Sequence, residues 1–349
     1  MNRLLIIGGL PDQKRRRGLG GATVLMQNFV EFLDEQKVEY KFVQTNRYFN
    51  KNGKPNSIKN TLIFLFQFIC LLRWSRIVMF NFSDHATVKI YPLLVRISKV
   101  FGKKVVFRKF GGSLDLYLQK YDDKIKNKTF KAIRRADLVL LETKASIEYV
   151  CKNIGRSDNI VWFPNVRKKN NLRSSEKYDK RFVFISHILD EKGVGDIIEV
   201  AKTLPDGYTI DFYGPIKEKK YENFDWEANN VRYGGVLTSE EVLTTLIRYN
   251  YLLLLTSYRE GYPGIIIEAM SVGVPSIATK VGGIPEIVGD GSNGVLVEVG
   301  NLEQIRASIE SVTQERYAEM RGVALHCFAK NFESVVTNQR ILKAIETLQ

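Results

Sequence analysis

Two glutamates and a lysine stand where they could do chemistry. Glu260 and Glu268 are the ends of EGYPGIIIE, with seven residues between them. They bracket a turn that contains Gly261, Pro263 and Gly264. The apolar run over residues 251–255 before that turn predicts a buried strand, being too short and too β-like for a helix. Glycine loosens the backbone and proline suits the first turn of a helix. From Gly264 onward Ile265, Ile266, Ala269 and Met270 recur at helical spacing, and Gly273 is a natural stop. Strand, glycine-rich turn and helix N-terminus in that order leave free N–H groups near Gly264 and Ile265. Together with the helix dipole they favour an anion, most often a phosphate. Glu268 rises only about 7–8 Å along the axis beyond Pro263. Its side chain leans back toward the N-terminus and so toward the crevice of Glu260. A phosphate site with a hydrogen-bond acceptor on each flank suits a sugar nucleotide. Lys192, leading into another predicted helix, can neutralise a leaving phosphate as a point charge.

The elements that must position these groups alternate strand and helix along the whole chain. Its 349 residues are too many for one ordinary domain and suit two. The predicted organisation is an N-terminal domain over residues 1–165, a polar linker over 166–180, a second domain over 181–330, and a last helical segment over 331–349. Such alternation implies parallel sheets with right-handed crossovers, hence an α/β, doubly wound architecture in each half. Ligands then bind beyond the carboxyl ends of the strands. In the first half those ends present Asp84-His85 and the run Arg108-Lys109-Phe110-Gly111-Gly112. His85 is readable either as an acceptor contact or as a structural histidine. The net charge of +14 is uneven. Residues 1–170 carry 33 Lys and Arg against 13 Asp and Glu, or +20, and residues 171–349 carry 19 against 25, or −6. A basic half beside an acidic one points to a polyanion: an anionic membrane surface, a phosphorylated lipid or nucleic acid. Nucleic acid is disfavoured because no recognised binding motif accompanies the charge. Three scattered cysteines and no CxxC pair argue against a disulfide framework or a zinc site and for a reducing cytosol. The start of the chain reads as a strand rather than a secretory signal. The longest apolar run, residues 61–72, falls short of the roughly 20 residues a membrane span needs. The expected location is therefore cytoplasmic, peripheral at the inner face of the cell membrane.

The stretch from Glu260 to Val288, EGYPGIIIEAMSVGVPSIATKVGGIPEIV, resembles the signature of retaining GT-B glycosyltransferases of family 4. FVFISHILDEKGVGDIIEVAKTL, Phe182 to Leu204, and GLGGATVLMQNFVEFL, Gly18 to Leu33, are similar to two further blocks of that family. The resemblance implies two Rossmann-like domains facing each other across a cleft, closing about a hinge at Pro164-Asn165, with the last helix packing back on the N-terminal domain. It implies transfer of a sugar from a nucleotide diphosphate sugar to a lipid-linked or growing cell-surface glycan, with retention of configuration. No Asp-x-Asp motif stands ahead of an acidic strand end and no acidic residues pair at metal-ligand spacing in these blocks, so transfer is expected without a metal ion or other cofactor. On this resemblance Glu260 contacts the donor sugar and Glu268 the ribose. Lys192 faces the diphosphate, beside Gly261, Pro263, Gly264 and Ile265. Gly20 and Gly21 open a helix facing the donor phosphate or the acceptor. The basic run Lys14 to Arg17 before them is either a phosphate or lipid contact or a solvated loop. His85, Arg108 and Gly112 fall on the acceptor side. Two family elements are replaced. The usual His-Gly pair is Phe110-Gly111 here, and the usual Gly-Arg pair is Ser186-His187. Those replacements keep open an alternative, a catalytically inactive GT-B-like protein that binds a glycan or a partner. A nicotinamide-dependent oxidoreductase is more distant, since Gly18-x-Gly20-Gly21 lacks the full dinucleotide fingerprint.

Overall fold

The computed structural model describes residues 3–11, 21–45 and 57–348. The chain divides into two compact units, Met1–Pro164 with Thr337–Gln349, and Asn165–Val336. The first holds a six-stranded parallel sheet of β1 (Leu4–Gly8), β2 (Tyr40–Gln44), β3 (Ile77–Phe82), β4 (Lys104–Lys109), β5 (Leu138–Leu141) and β6 (Ile160–Trp162). Their order across the sheet is β2-β1-β3-β4-β5-β6. Central strands such as LLIIG and IVMFNF are buried residue after residue, as a sheet covered on both faces requires. Leu5, Ile7, Val78, Phe80, Val105 and Phe107 join Phe68, Tyr91 and Leu94 in one apolar cluster.

The second unit repeats the plan with β7 (Arg181–Ile185), β8 (Thr209–Tyr213), β9 (Arg232–Tyr233), β10 (Tyr251–Leu254), β11 (Ser276–Thr279) and β12 (Gly294–Val297). The order is β12-β11-β10-β7-β8-β9, every neighbouring pair parallel. Counted within the unit this is the Rossmann order, with its reversal between β7 and β10. A doubly wound sheet opens its ligand crevice at that reversal, beyond the carboxyl ends of the two strands.

Between β3 and β4 the chain forms two helices, Asp84–Lys89 and Tyr91–Val100. Pro92 lacks an N–H and fits only a first turn, so the chain restarts there. The stretch expected as a linker, residues 166–180, is bonded into the second unit. Ser174 donates its N–H to Val272 O at 2.8 Å and its hydroxyl to Gly273 O at 2.7 Å, and Arg321 donates to Ser174 O at 3.1 Å. Among the described residues no helix is long and apolar enough to cross a membrane.

Candidate functional site

The crevice at the reversal of the second sheet is a cavity of about 340 Å³. Its floor comes from the end of β7 (Ile185, Ser186, His187) and from Leu254 of β10. One side is Gly214, Pro215, Val236, Leu237 and Val242. The other is Lys192, Glu260, Pro263, Gly264 and Ile265. One end is thus apolar and the other charged, and the volume falls at the lower end of the range of small-molecule sites.

Each charged group is held there by an identifiable device. Lys192 ends a short turn, Asp190–Lys192, and Gly193 follows with φ +82°. A Cβ on Gly193 would stand 2.4 Å from Leu255 O, so only glycine lets this turn close onto the end of β10. The turn is stapled to the next loop: Ser257 N and Thr256 Oγ1 both donate to Glu191 O, at 2.9 and 3.0 Å. Lys192 is thereby placed beside Glu260, with which it forms a short ion pair, and its ammonium lies 5.2 Å from the centre of the Tyr258 ring. Glu260 is held in turn by its carbonyl, which accepts from Gly283 N at 3.0 Å.

The helix Gly264–Val272 begins after Pro263 with no side chain capping its first N–H groups. Free N–H groups and the positive end of the dipole therefore face the charged end of the cavity. His187, on the floor, has its pKa lowered, first by burial and then by Lys217 and Lys192, with Glu260 pulling the other way. Its imidazole is accordingly held toward the neutral form, a hydrogen-bonding group rather than a fixed charge.

Of the residues singled out in the sequence, Lys192, Glu260, Pro263, Gly264, Ile265 and His187 come together around this one cavity. Glu268 does not line it. Its Oε1 accepts from Arg167 Nε at 2.6 Å. Gly261 sits in the turn between Glu260 and the helix, and the buried Tyr262 beside it donates its hydroxyl to Glu286 at 2.6 Å. The first-unit residues stand as follows. Gly20 and the basic run Lys14 to Arg17 lie outside the described residues. Gly21 opens the helix Gly21–Glu35, with open space where a Cβ would be. His85 is exposed on the helix Asp84–Lys89, and Gly112 is buried after β4.

Arg108 is the correction. An open contact was expected, but the side chain is sunk among aromatic rings at 2% exposure. Its guanidinium lies 3.7 Å from the Phe163 ring centre and 4.5 Å from that of Phe110. Nη1 is buried with no hydrogen-bond partner, and burial pulls the group's pKa down to about 9, against the opposing effect of Glu142. The physical reason is register: Arg108 is a β4 residue paired with Asn81 and Leu140, inside the sheet rather than in the loop beyond it.

Arg167, packed against Gly264 of the cavity lining, is a charged neighbour of the crevice that the sequence reading did not single out. It was read as linker charge, and its partner Glu268 lies 101 residues away. No spacing rule reaches across that distance. The lone hint is the Pro164-Asn165 pair ahead of it, since Asn165 Nδ2 donates to Tyr262 O at 3.1 Å and its Oδ1 accepts from Arg167 Nη1 at 2.5 Å.

Two parallel six-stranded sheets in separate α/β units, the second wound in Rossmann order around a charged crevice, define the GT-B architecture. Solved structures agree. Anabaena HepE in complex with UDP superimposes with a TM-score of 0.73 at 15% identity, covering 99% of this chain and 100% of its own. Sucrose-phosphate synthase from Thermosynechococcus elongatus gives 0.74 at 13% identity over 100% and 99%. In sequence, residues 163–323 match the family profile "Glycosyl transferases group 1". An uncharacterized glycosyltransferase of Methanocaldococcus jannaschii is 30% identical over 153 residues, 43% of each chain. The capsular polysaccharide biosynthesis glycosyltransferase CapM of Staphylococcus aureus is 26% identical over 204 residues, 55% of this chain and 53% of its own. The matched segment spans about half the length of these relatives.

Proposed function

We propose that this protein is a glycosyltransferase of polysaccharide biosynthesis that moves a sugar from a nucleotide diphosphate sugar to a lipid-linked or growing glycan, with retention of configuration and without a metal ion. The observation that carries the reading is the cavity at the β7/β10 reversal, which brings Lys192, Glu260 and the N-terminus of helix Gly264–Val272 to one end and apolar side chains to the other. The apolar end, with Val236, Leu237 and Pro215, suits a nucleobase. The charged end suits the diphosphate. Charge developing on the leaving phosphate is met by Lys192 and by the N–H groups of Gly264 and Ile265, already oriented before reaction begins. We assign Glu260, beside Lys192, to hydroxyls of the sugar, and Glu268, which lies behind the cavity lining and accepts from Arg167, to those of the ribose. In a retaining front-side transfer the acceptor hydroxyl gives its proton to the departing phosphate oxygen on the same face. No side chain then need act as nucleophile. The profile match, the named relatives and the UDP-bound HepE structure support this class and make uridine donors the first to try.

The acceptor side is assigned to an anionic membrane surface. Residues 57–104 carry eight Lys and Arg and a single acid, Asp84. The helix Ser57–Trp74 turns Leu62 and Phe66 outward at 63 and 71% exposure, on the side opposite buried Phe68 and Leu72. Exposed apolar side chains on a stretch rich in basic residues suit the interface of a bilayer rather than its interior. The protein then works peripherally, at the inner face of the cell membrane. Nucleic acid has no place in this reading.

The test is thermal stability against UDP, GDP, ADP, CMP, their sugar conjugates and NAD. A ligand at a hundredfold excess over its Kd adds about 2.7 kcal/mol. Stabilisation by one nucleoside diphosphate, with the added stabilisation from its sugar conjugate reduced in Glu260→Ala, supports the reading; stabilisation by none, or by NAD alone, removes it. Product anomer by NMR, turnover in EDTA, and sedimentation with phosphatidylglycerol against phosphatidylcholine vesicles decide retention, metal independence and the membrane partner in turn.

A further inference from the structure

The charged end of the cavity is short of positive charge for the ligand assigned to it. Of its two lining residues able to carry a cation, Lys192 is paired with Glu260, and His187 is held toward neutrality. A diphosphate leaving water for this crevice needs more compensation than that. A third cation stands behind the wall, against Gly264. Arg167 Nη2 lies 1.8 Å from where a Cβ on Gly264 would be, so the guanidinium fills the space that any side chain there would take. Gly264 is both a wall of the cavity and the first residue of the helix whose N-terminus faces it.

The guanidinium is divided in its contacts. Nε donates to Glu268, and Nη1 donates to Asn165 Oδ1 and to Val166 O at 3.0 Å. Nη2 has no hydrogen-bond partner among the described residues, and the side chain keeps 19% of its surface exposed. The backbone beneath it is pinned on both sides: Arg167 N donates to Phe332 O and Ser334 N to Arg167 O, each at 2.9 Å.

We propose that Arg167 is the second phosphate-binding cation of the donor site, meeting a phosphate oxygen through Nη2 at the helix N-terminus while its other edge holds Glu268 for the ribose. The inference rests on the donor-site reading above and deepens it. The Arg167–Glu268 pair carries no net charge, yet its positive end lies against Gly264. It therefore adds to the field of the helix dipole where the phosphate sits. A planar fork can serve a carboxylate along one edge and a phosphate at the other, which an ammonium cannot do. The position also accounts for Gly264, since a Cβ there would push the guanidinium away.

The experiment is calorimetric titration of the full-length protein with UDP and UMP, for the wild type and for Arg167→Gln, Arg167→Lys, Glu268→Gln and Gly264→Ala. A phosphate-binding arginine makes Arg167→Gln weaken UDP by about 10- to 100-fold and UMP by much less. Glu268→Gln weakens both nucleotides alike. Should Arg167→Gln fail to fold by circular dichroism, Gly264→Ala and Arg167→Lys carry the same expectation of a loss larger for UDP than for UMP. Equal losses for the two nucleotides, matching Glu268→Gln, or unchanged UDP affinity in these variants, would overturn the proposal. A wild type that binds no nucleoside diphosphate across UDP, GDP, ADP and CDP sinks the donor-site reading itself, a distinguishable result.

Discussion

Replacing Lys192 by Met keeps the length and most of the apolar stem of the side chain and deletes its charge. In the unliganded protein that charge is paired with Glu260, the two side chains being only 16 and 25% exposed. Two unit charges about 4 Å apart at an effective dielectric of about 20 interact by roughly 4 kcal/mol. Desolvation of a partly buried lysine and diphosphate offsets part of that, leaving about 2–4 kcal/mol for the contact with a phosphate. This converts to a loss of about 30- to 700-fold in nucleoside diphosphate affinity. The loss has a second source, because an unpaired Glu260 repels the incoming anion. The double variant Lys192→Met/Glu260→Gln separates the two. It removes the orphaned carboxylate, so its thermal stability should return to near the wild-type value and part of the binding should be recovered. Transfer should stay low, because the ammonium that meets the charge developing on the leaving group is gone. The assay is calorimetry for binding and single-turnover sugar transfer for chemistry. If Lys192→Met binds and turns over UDP-sugar as the wild type does, Lys192 has no phosphate role and the assignment of the charged end is wrong.

Gly193→Ala puts a Cβ into Leu255 O and forces alanine to φ +82°; we expect about 2–4 kcal/mol of destabilisation, read as an earlier thermal transition of the second unit and a matching loss of nucleotide binding. A bound diphosphate raises the pKa of His187 from its lowered value. Binding is then linked to proton uptake, and affinity should rise as pH falls from 8 toward 6. His187→Gln should flatten that rise beyond what nucleotide titration alone produces, and an identical pH profile would show that the ring does not face the phosphates. Arg108→Met should be neutral or stabilising, since it removes a buried guanidinium whose Nη1 has no partner. The sign follows from linkage. With its pKa lowered from 12.5 to about 9, Arg108 binds fewer protons folded than unfolded between those values, so its cost is present below pH 9 and declines above it. The melting-temperature advantage of Arg108→Met should therefore shrink above pH 9, and destabilisation at pH 7 would contradict the argument.

How much of this was legible in the sequence depended on how local each cause is. The strand before the turn, the stop at Gly273 and the helix Gly264–Val272 were readable because apolar run, proline and glycine act over a few residues. The grouping of Lys192 with Glu260 followed from the resemblance, and the fold supplies its physical reason in the β7/β10 reversal. Two edge strands escaped notice, Ile160–Trp162 and Arg232–Tyr233, being three and two residues long with no room for a period to show. Arg108 was misjudged by position: it was read in the run presented at a strand end, but β4 runs to Lys109. Burial of a charge next to aromatic residues scattered along the chain, Phe110 and Phe163, leaves no local signal.

Arg167 shows the same limit in a more consequential form. The sequence has Ser186-His187 where the resemblance leads one to expect Gly-Arg. Read along the chain, that is a weakened site. In the fold, a guanidinium arrives behind Gly264 from a segment that looked like linker, tied to Glu268. What a phosphate requires is positive potential at one point in space, and the helix N-terminus fixes that point. Any cation whose backbone is pinned within reach of it can serve, whichever strand it follows. Gly264 and Arg167 are then interdependent, the glycine being small because the arginine is there. If so, Gly264→Ala should cost little in an Arg167→Gln background, where no guanidinium remains to be displaced, and much in the wild type. Equal costs in both backgrounds would mean that the two residues are independent and that the glycine serves the turn alone.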